Sequence, residues 1–268
     1  MQLIDIGGSG VKSIQLPLCG NPNLSNTTNL IHHKAPDWGN FVPWLAQNGL
    51  LEHQHIGISC AGFISENGLI KLCRIAGWEN VNLVNDIKAY APNAHIYLLN
   101  DAEAHLMAHH DLFVNPMITL SLGTSVGFAL NDHHKKIVRA VDGFNFDIGE
   151  ISIPTKASCN RVWWALGSHG LTELITNMGE QEGIRQYGYR LGAYLVSLCS
   201  IFRPKSLILS GGIIKNCGHL LYQPLCDEFS ANRPDWLEHI NIELSPYGAE
   251  AALIGMAKYI QYQLCIKK

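Results

Sequence analysis

LIDIGGSGVK, residues 3–12, runs an apolar strand into an aspartate, two glycines, a serine, a third glycine and a lysine. An acid, bare backbone and a hydroxyl at a strand end are the parts of a phosphate cradle. Gly7 and Gly8 let backbone N–H groups approach an anion closely, and Ser9 adds a hydroxyl donor. Asp5 would hold magnesium through water, because magnesium keeps much of its hydration, and Lys12 would offset phosphate charge. A plain glycine hairpin with a chance acid explains the stretch about equally well. The pattern GxxxxGK[ST] is absent. So is the dinucleotide-binding pattern, since a second strand rather than a helix follows the glycines.

Two more glycine turns lie further along. LGTSVG, residues 122–127, offers Gly123, Thr124 and Gly127 as a second phosphate cradle. LILSGGI, residues 207–213, puts Gly211 and Gly212 after an apolar strand, where bare backbone would admit a flat adenine. Each turn is weak evidence alone; three at strand ends in one chain are not easily accidental. Between the first two, LLND (residues 98–101) closes an apolar strand with Asn100 and Asp101. A carboxylate there can orient a hydroxyl and take its proton as the hydroxyl attacks phosphorus. The same pair is also a common helix cap, and both roles can hold together.

Strand and helix patterns alternate along the chain, which predicts an α/β fold. The spacing predicts a hairpin around residues 2–18, strands at HIGISCAG, LIKLC, HIYLLN and SLILSGG, and helices near 82–90, 101–110, 163–177, 183–202 and from 248 onward. IDIGGSGVKSI and LSLGTSVGFAL fit one strand–turn–strand template, which predicts two similar lobes. The expected division is 1–114 and 115–268, with the last helix packing back on the first lobe.

The 268 residues are 47% hydrophobic and 15% charged with a net charge of -3, a globular composition unsuited to a general polyanion or membrane-surface binder. Eight scattered cysteines without a CxxC pair read as reduced thiols. The start runs directly into a strand, so no signal peptide is expected, and no apolar run reaches transmembrane length. The expected location is the cytoplasm.

In order, DIGGSGVK, LLNDAEA, LGTSVG, DIGE and LILSGGI resemble the ROK family of sugar kinases, over nearly the whole chain. The resemblance implies a two-lobed actin/hexokinase-like (ribonuclease H-like) fold with a central cleft. It also implies phosphoryl transfer from ATP, with Mg2+, to a sugar hydroxyl. It makes Asp5, Gly7, Gly8, Ser9 and Lys12 the first phosphate segment and Gly123, Thr124 and Gly127 the second. Asp101 becomes the general base, Asn100 and Glu150 sugar ligands, and His169 a weaker one. Gly211 and Gly212 would face the nucleoside. The expected partner is a small sugar, without nucleic acid or membrane and with room for a homodimer. DIGGSG is also similar to polyphosphate-using glucokinases, which leaves the phosphoryl donor open.

The chain departs from that pattern in three places. Ser152-Ile153 follows Glu150-Ile151 where the family has Gly-His, so a sugar contact and a zinc ligand are missing. The cysteine-rich zinc loop is absent, and Cys159 alone cannot hold zinc. Arg74 stands near Trp78 where a small amide is usual. These departures predict that plain glucose is not the preferred acceptor, an amino-sugar derivative being the first expectation. They also keep a non-catalytic sugar sensor as the rival. No helix-turn-helix precedes the first strand, which speaks against a repressor. His105 and His109, at i and i+4, read as structural histidines rather than metal ligands.

Overall fold

The computed structural model describes residues 1–7, 10–20, 22, 30–34, 36–154, 159–237, 239–248 and 250–266. The fold is α/β and divides into two compact units. The first is Met1–His109, Arg139–Phe146 and Glu250–Lys268; the second is His110–Val138 and Asp147–Ala249.

In the first unit the chain forms β1 (Gln2–Gly7), β2 (Gly10–Gln15), β3 (Ile31–His33), α1 (Phe41–Gln47), β4 (His55–Cys60), β5 (Phe63–Ile64), β6 (Leu69–Cys73), β7 (Trp78–Asn82), α2 (Leu83–Tyr90), β8 (His95–Asn100) and α3 (Asp101–His109). The second unit holds β9 (Met117–Leu122), β10 (Val126–Asn131), β11 (Ile137–Val138), β12 (Ser152–Pro154), β13 (Cys159–Arg161), α4 (Val162–Ala165), α5 (Ser168–Met178), α6 (Glu180–Phe202), β14 (Ser206–Ser210), α7 (Gly212–Asn232) and β15 (Asn241–Leu244). The chain then returns to the first unit with α8 (Ala251–Ile266).

The two main sheets share one topology. The first is ordered β3-β2-β1-β4-β8, an antiparallel meander followed by two parallel strands. The second, β11-β10-β9-β14-β15, repeats that order and those directions. The strand–turn–strand echo in the sequence is therefore a repeat of supersecondary structure. The central parallel strands β4 and β14 are buried on both faces, so they carry apolar runs such as Leu207-Ile208-Leu209.

Side chains alternate across the first sheet. Ile4, Ile6, Ile58 and Cys60 join a core with Phe41, Leu45, Leu83 and Ile87. The opposite face carries Leu3 and Gly57, and there α8 lies close: a Cβ on Gly57 would meet Ile260 and Met256. Asp5 and Ser59 share that face by the same alternation.

Three helix contacts rest on missing side chains. Gly188 and Gly192 of α6 let the backbone of α7 come so near that a Cβ would meet the Leu221 and Leu225 carbonyls. In the first unit, a Cβ on Gly255 of α8 would overlap the Ala104 carbonyl of α3. Lys258 Nζ also donates to the Ala108 carbonyl at 2.7 Å, so α8 fixes α3 along its length.

Gly255→Ala puts a methyl group into backbone that cannot yield without separating α3 from α8. The expected loss is at least about 2 kcal/mol, measured as a lower urea midpoint at unchanged m-value. An unaltered midpoint would contradict the close approach.

Candidate functional site

Asp5 sits near the end of β1 in a row of aligned residues, Lys12 on β2, Ser59 on β4 and Leu99 on β8. Lys12 Nζ lies 3.5 Å from Asp5 Oδ2. Burial pushes the Asp5 carboxyl upward, and the Lys12 charge opposes the rise. The buried Ser59 Oγ makes no well-formed hydrogen bond, although its dipole also favours the Asp5 carboxylate.

Asp101 follows two residues after Leu99, just past the end of β8. Asp101 is the first residue of α3. Burial pushes its carboxyl up to about 6, and the charge of Asp5 adds to the rise; the Ala102 and Asp101 N–H groups and the Asn100 amide oppose it. Asp101, holding its proton more tightly first through burial and then through the nearby Asp5 charge, is a carboxyl suited to proton transfer.

Asn100 is the cap of α3. Its Oδ1 accepts from Ala102 N at 2.8 Å, while Glu103 Oε2 accepts from Asn100 N at 3.1 Å. This reciprocal pair is a capping box, and NDAE in the sequence spells it. Asn100 Nδ2 donates to the Gly62 carbonyl at 2.9 Å. The second N–H of the amide faces the Asp101 carboxylate, and the oxygen keeps one lone pair.

Sequence reasoning missed the partner of Glu103. Arg139 donates to both of its oxygens, each at 2.7 Å, with the Glu103 side chain 1% exposed and that of Arg139 13% exposed. Burial raises the Glu103 pKa and Arg139 opposes the rise. Arg139 arrives 36 residues later in the chain. No local signal connects the two.

The remaining candidates are placed as follows. Gly7 ends β1, with open space where a Cβ would be. Gly8 and Ser9 lie outside the described residues. In the second unit Gly123 and Thr124 form the β9–β10 turn and Gly127 lies in β10. That turn is braced by Gly167: Ser168 N donates to the Gly123 carbonyl at 2.8 Å, and a Cβ on Gly167 would press on the Thr124 carbonyl.

Gly211 has φ +95 and lies against the Leu122 backbone too closely for a Cβ, so packing alone demands glycine there. Gly212 opens α7 with free space beside it. Glu150 and Arg161 pair at 3.7 Å, and Arg161 also holds the Glu150 carbonyl and Ser152 Oγ. His169 is exposed on α5 and meets Trp163 edge-on at 6.3 Å. Ile153 pairs with Asn160 in the β12–β13 register, and its side chain lies outside the described residues. Arg74 is exposed, whereas Trp78 is core, its Nε1 donating to the Trp38 carbonyl at 3.1 Å.

Burial lowers the His105 and His109 imidazoles to about 3 and about 4. Among the described residues no three His, Cys, Asp or Glu side chains form a metal cluster, and no helix is long and apolar enough to cross a membrane.

No family model matches the chain. The xylose repressor of Bacillus spizizenii is 22% identical over 267 residues, covering 87% of this chain and 65% of the repressor. That of Bacillus subtilis is 23% identical over 222 residues, covering 70% and 54%. The chain thus spans less than two thirds of either relative. Among solved structures, a ROK family protein from Streptococcus pneumoniae in complex with sucrose superposes with a TM-score of 0.79 at 18% identity, covering 99% of this chain and 100% of that one. A ROK family glucokinase from Streptomyces griseus in complex with glucose and AMPPNP gives 0.74 at 18% identity, covering 96% and 98%. A ROK family transcriptional regulator, a homologue of the Escherichia coli MLC protein, gives 0.80 at 15% identity, covering 98% and 79%. The chain has the two-lobed actin-like ATPase fold of the ROK sugar kinases, a fold that ROK repressors share.

Arg139→Leu would strand the Glu103 carboxylate in the interior. Removing one partner of a buried pair costs about 3–5 kcal/mol. The loss should be greatest at pH 8 and shrink as pH falls, because an unpaired Glu103 takes a proton and sheds its charge. Denaturation of wild type and variant across pH 5–8 checks it; a pH-independent difference would contradict the pairing.

Proposed function

We propose that the chain is an ATP-dependent sugar kinase of the ROK type, transferring a phosphoryl group to a hydroxyl of a hexose or amino sugar. The observation that carries this reading is Asp101, a carboxyl raised to about 6 beside a second carboxylate. A general base works best with a pKa near the working pH, and an ordinary aspartate would be a weaker one. Asp101 takes the proton of the sugar hydroxyl as that oxygen attacks phosphorus, and the Asn100 amide, fixed by the capping box, orients the sugar through its oxygen's free lone pair. Glu150 and His169 are the sugar contacts proposed from the second unit. Gly7, Gly8, Ser9 and Lys12 bind phosphate, as do Gly123, Thr124 and Gly127. Gly212, with open space beside it, suits the nucleoside better than Gly211, whose glycine packing already explains.

Magnesium fits Asp5. The ion keeps most of its waters and needs only one or two carboxylates, and the carboxylate of Asp5 is the one raising Asp101. When bound, magnesium neutralises phosphate charge in the transfer. The AMPPNP complex of the Streptomyces glucokinase supports a nucleoside triphosphate donor.

A sugar-binding sensor of the same fold is the second reading. It is supported by the xylose repressors, by the ROK regulator and by the Arg161 ion pair on Glu150. Hexoses and N-acylated hexosamines, each with magnesium and either ATP or polyphosphate, decide between the readings by product mass. A phosphorylated sugar supports the kinase and names its donor. Sugar binding without product from either donor supports the sensor.

Asp101→Asn keeps the shape of the residue and removes the proton acceptor. Turnover should fall by about 10²–10⁴ with little change in melting temperature. In wild type, kcat/KM should decline as pH drops below about 6, where Asp101 becomes protonated and cannot accept a proton. Near-normal turnover in the variant would remove Asp101 from the chemistry.

Asp5→Ala should weaken Mg-ATP affinity more than sugar affinity, and should lower the acidic limb of the pH profile, because the charge that raises Asp101 is gone. Calorimetry showing unchanged Mg-ATP binding, with an unchanged limb, would contradict both roles.

A further inference from the structure

Two buried thiols meet beside the Asn100–Asp101 junction and have no part in the function above. Cys60 ends β4, aligned with Asn100 on β8, and Cys73 ends β6. Their sulfurs are 3.8 Å apart, in contact, and both residues are 0% exposed. A disulfide needs about 2.05 Å, so closing the gap requires only a modest shift of the two strand ends.

The surroundings of the two sulfurs differ. Cys73 is followed by the turn to β7, and the N–H groups of Ile75 and Ala76 point at its sulfur. Such a nest favours an anion. Cys60, whose S–H also reaches the Ala61 carbonyl at 3.4 Å, is pushed well above the ordinary thiol range, chiefly by its contact with Cys73, while Cys73 is lowered to about 7. The N–H groups beside Cys73 make it the attacking sulfur and leave Cys60 as the resolving one. The turn beside Cys73 is exposed at Arg74, Ile75 and Gly77, so an opening of that turn would admit a small oxidant.

We propose that Cys60 and Cys73 are a modification site, forming a reversible disulfide with hydrogen peroxide. The Cys73 thiolate attacks a peroxide oxygen; the O–O bond breaks, the departing hydroxide takes up a proton as water, and Cys73 becomes a sulfenic acid. The Cys60 sulfur then attacks the Cys73 sulfur, the S–O bond breaks, and hydroxide leaves as water with the Cys60 proton. Two thiols and one peroxide give one disulfide and two waters.

The disulfide reaches the site through Gly62. This residue lies two positions past Cys60, and its carbonyl accepts from Asn100 Nδ2 at 2.9 Å. A Cβ on Gly62 would collide with the Leu72 carbonyl and meet the Cys73 backbone, so Gly62 cannot stay in place while the ends of β4 and β6 are drawn together. The displacement falls on Asn100, the cap that sets Asp101. Formation of the disulfide does not rest on the kinase reading; its effect on turnover does.

The test uses the wild-type chain, titrated with hydrogen peroxide and then alkylated and mapped. The expected product is a Cys60–Cys73 linked peptide, lacking two hydrogens and restored by dithiothreitol. Hydrogen exchange at the Ala102 amide, which donates to Asn100 Oδ1, should quicken about tenfold in the oxidised form, the equivalent of one net hydrogen bond. If Cys60 and Cys73 remain alkylatable after the exposed Cys19 and Cys265 have oxidised, the site is refuted. A disulfide with unchanged Ala102 exchange refutes the link to Asn100. A disulfide with faster exchange, in a chain that phosphorylates no sugar before oxidation, upholds this inference and rejects the kinase.

Discussion

The carboxylate of Glu103 is buried almost completely, and much around the candidate base follows from how that charge is satisfied. An isolated ionised carboxylate in the interior is strongly unfavourable. Here two guanidinium N–H groups and one backbone N–H surround it. The backbone N–H belongs to Asn100, so satisfying Glu103 also sets where α3 begins and therefore where Asp101 stands. The guanidinium belongs to Arg139, so the same contact draws an eight-residue excursion, Arg139–Phe146, into the first unit. That excursion is anchored again at Asn145, whose Oδ1 accepts from Ile64 N at 2.7 Å and whose N donates to the Ile64 carbonyl at 3.3 Å. One buried charge thus ties a strand end, a helix start and a distant loop together.

Close backbone packing supplies the rigidity that this arrangement needs. α3 is buried on nearly all sides, with small residues at Ala102, Ala104 and Ala108, and α8 approaches it through Gly255. Such contacts carry no directional bond, yet they leave α3 no room to shift or turn. Asp101 therefore holds its place near Asp5, and the burial and repulsion that raise its carboxyl stay built in rather than relaxing away. The thiol pair depends on the same stiffness, because a shift at Cys73 is felt at Gly62 and cannot be absorbed by loose packing.

Some elements were legible in the sequence and others were not, for physical reasons. HIYLLN forms β8 with those same bounds, because its buried second half is apolar and the run ends at a polar pair. α7 gave no clear helical signal: Gly218 and Pro224 interrupt it, and both are tolerated because the helix is held by α6 rather than by its own propensity. β3, β5 and β11 are too short for a period to register. Gly211 looked like a nucleoside contact, but a positive φ and the Leu122 backbone explain its glycine without a ligand.

The sequence by itself determined the α/β class, the repeated strand–turn–strand template and the positions of Asp5, Asn100 and Asp101 at strand ends. Those features depend on neighbours within a few residues, where apolar period, glycine and capping chemistry act directly. NDAE even carried the capping box of α3. Only the tertiary structure decided which charges meet. Arg139 reaches Glu103, Ser59 comes beside Asp5, and Cys73 touches Cys60, because sheet order and helix packing bring together residues that no local pattern relates. The raised carboxyl of Asp101 belongs to the same class of fact: an aspartate takes an unusual pKa from burial and from the charge next to it, and both are properties of the folded chain.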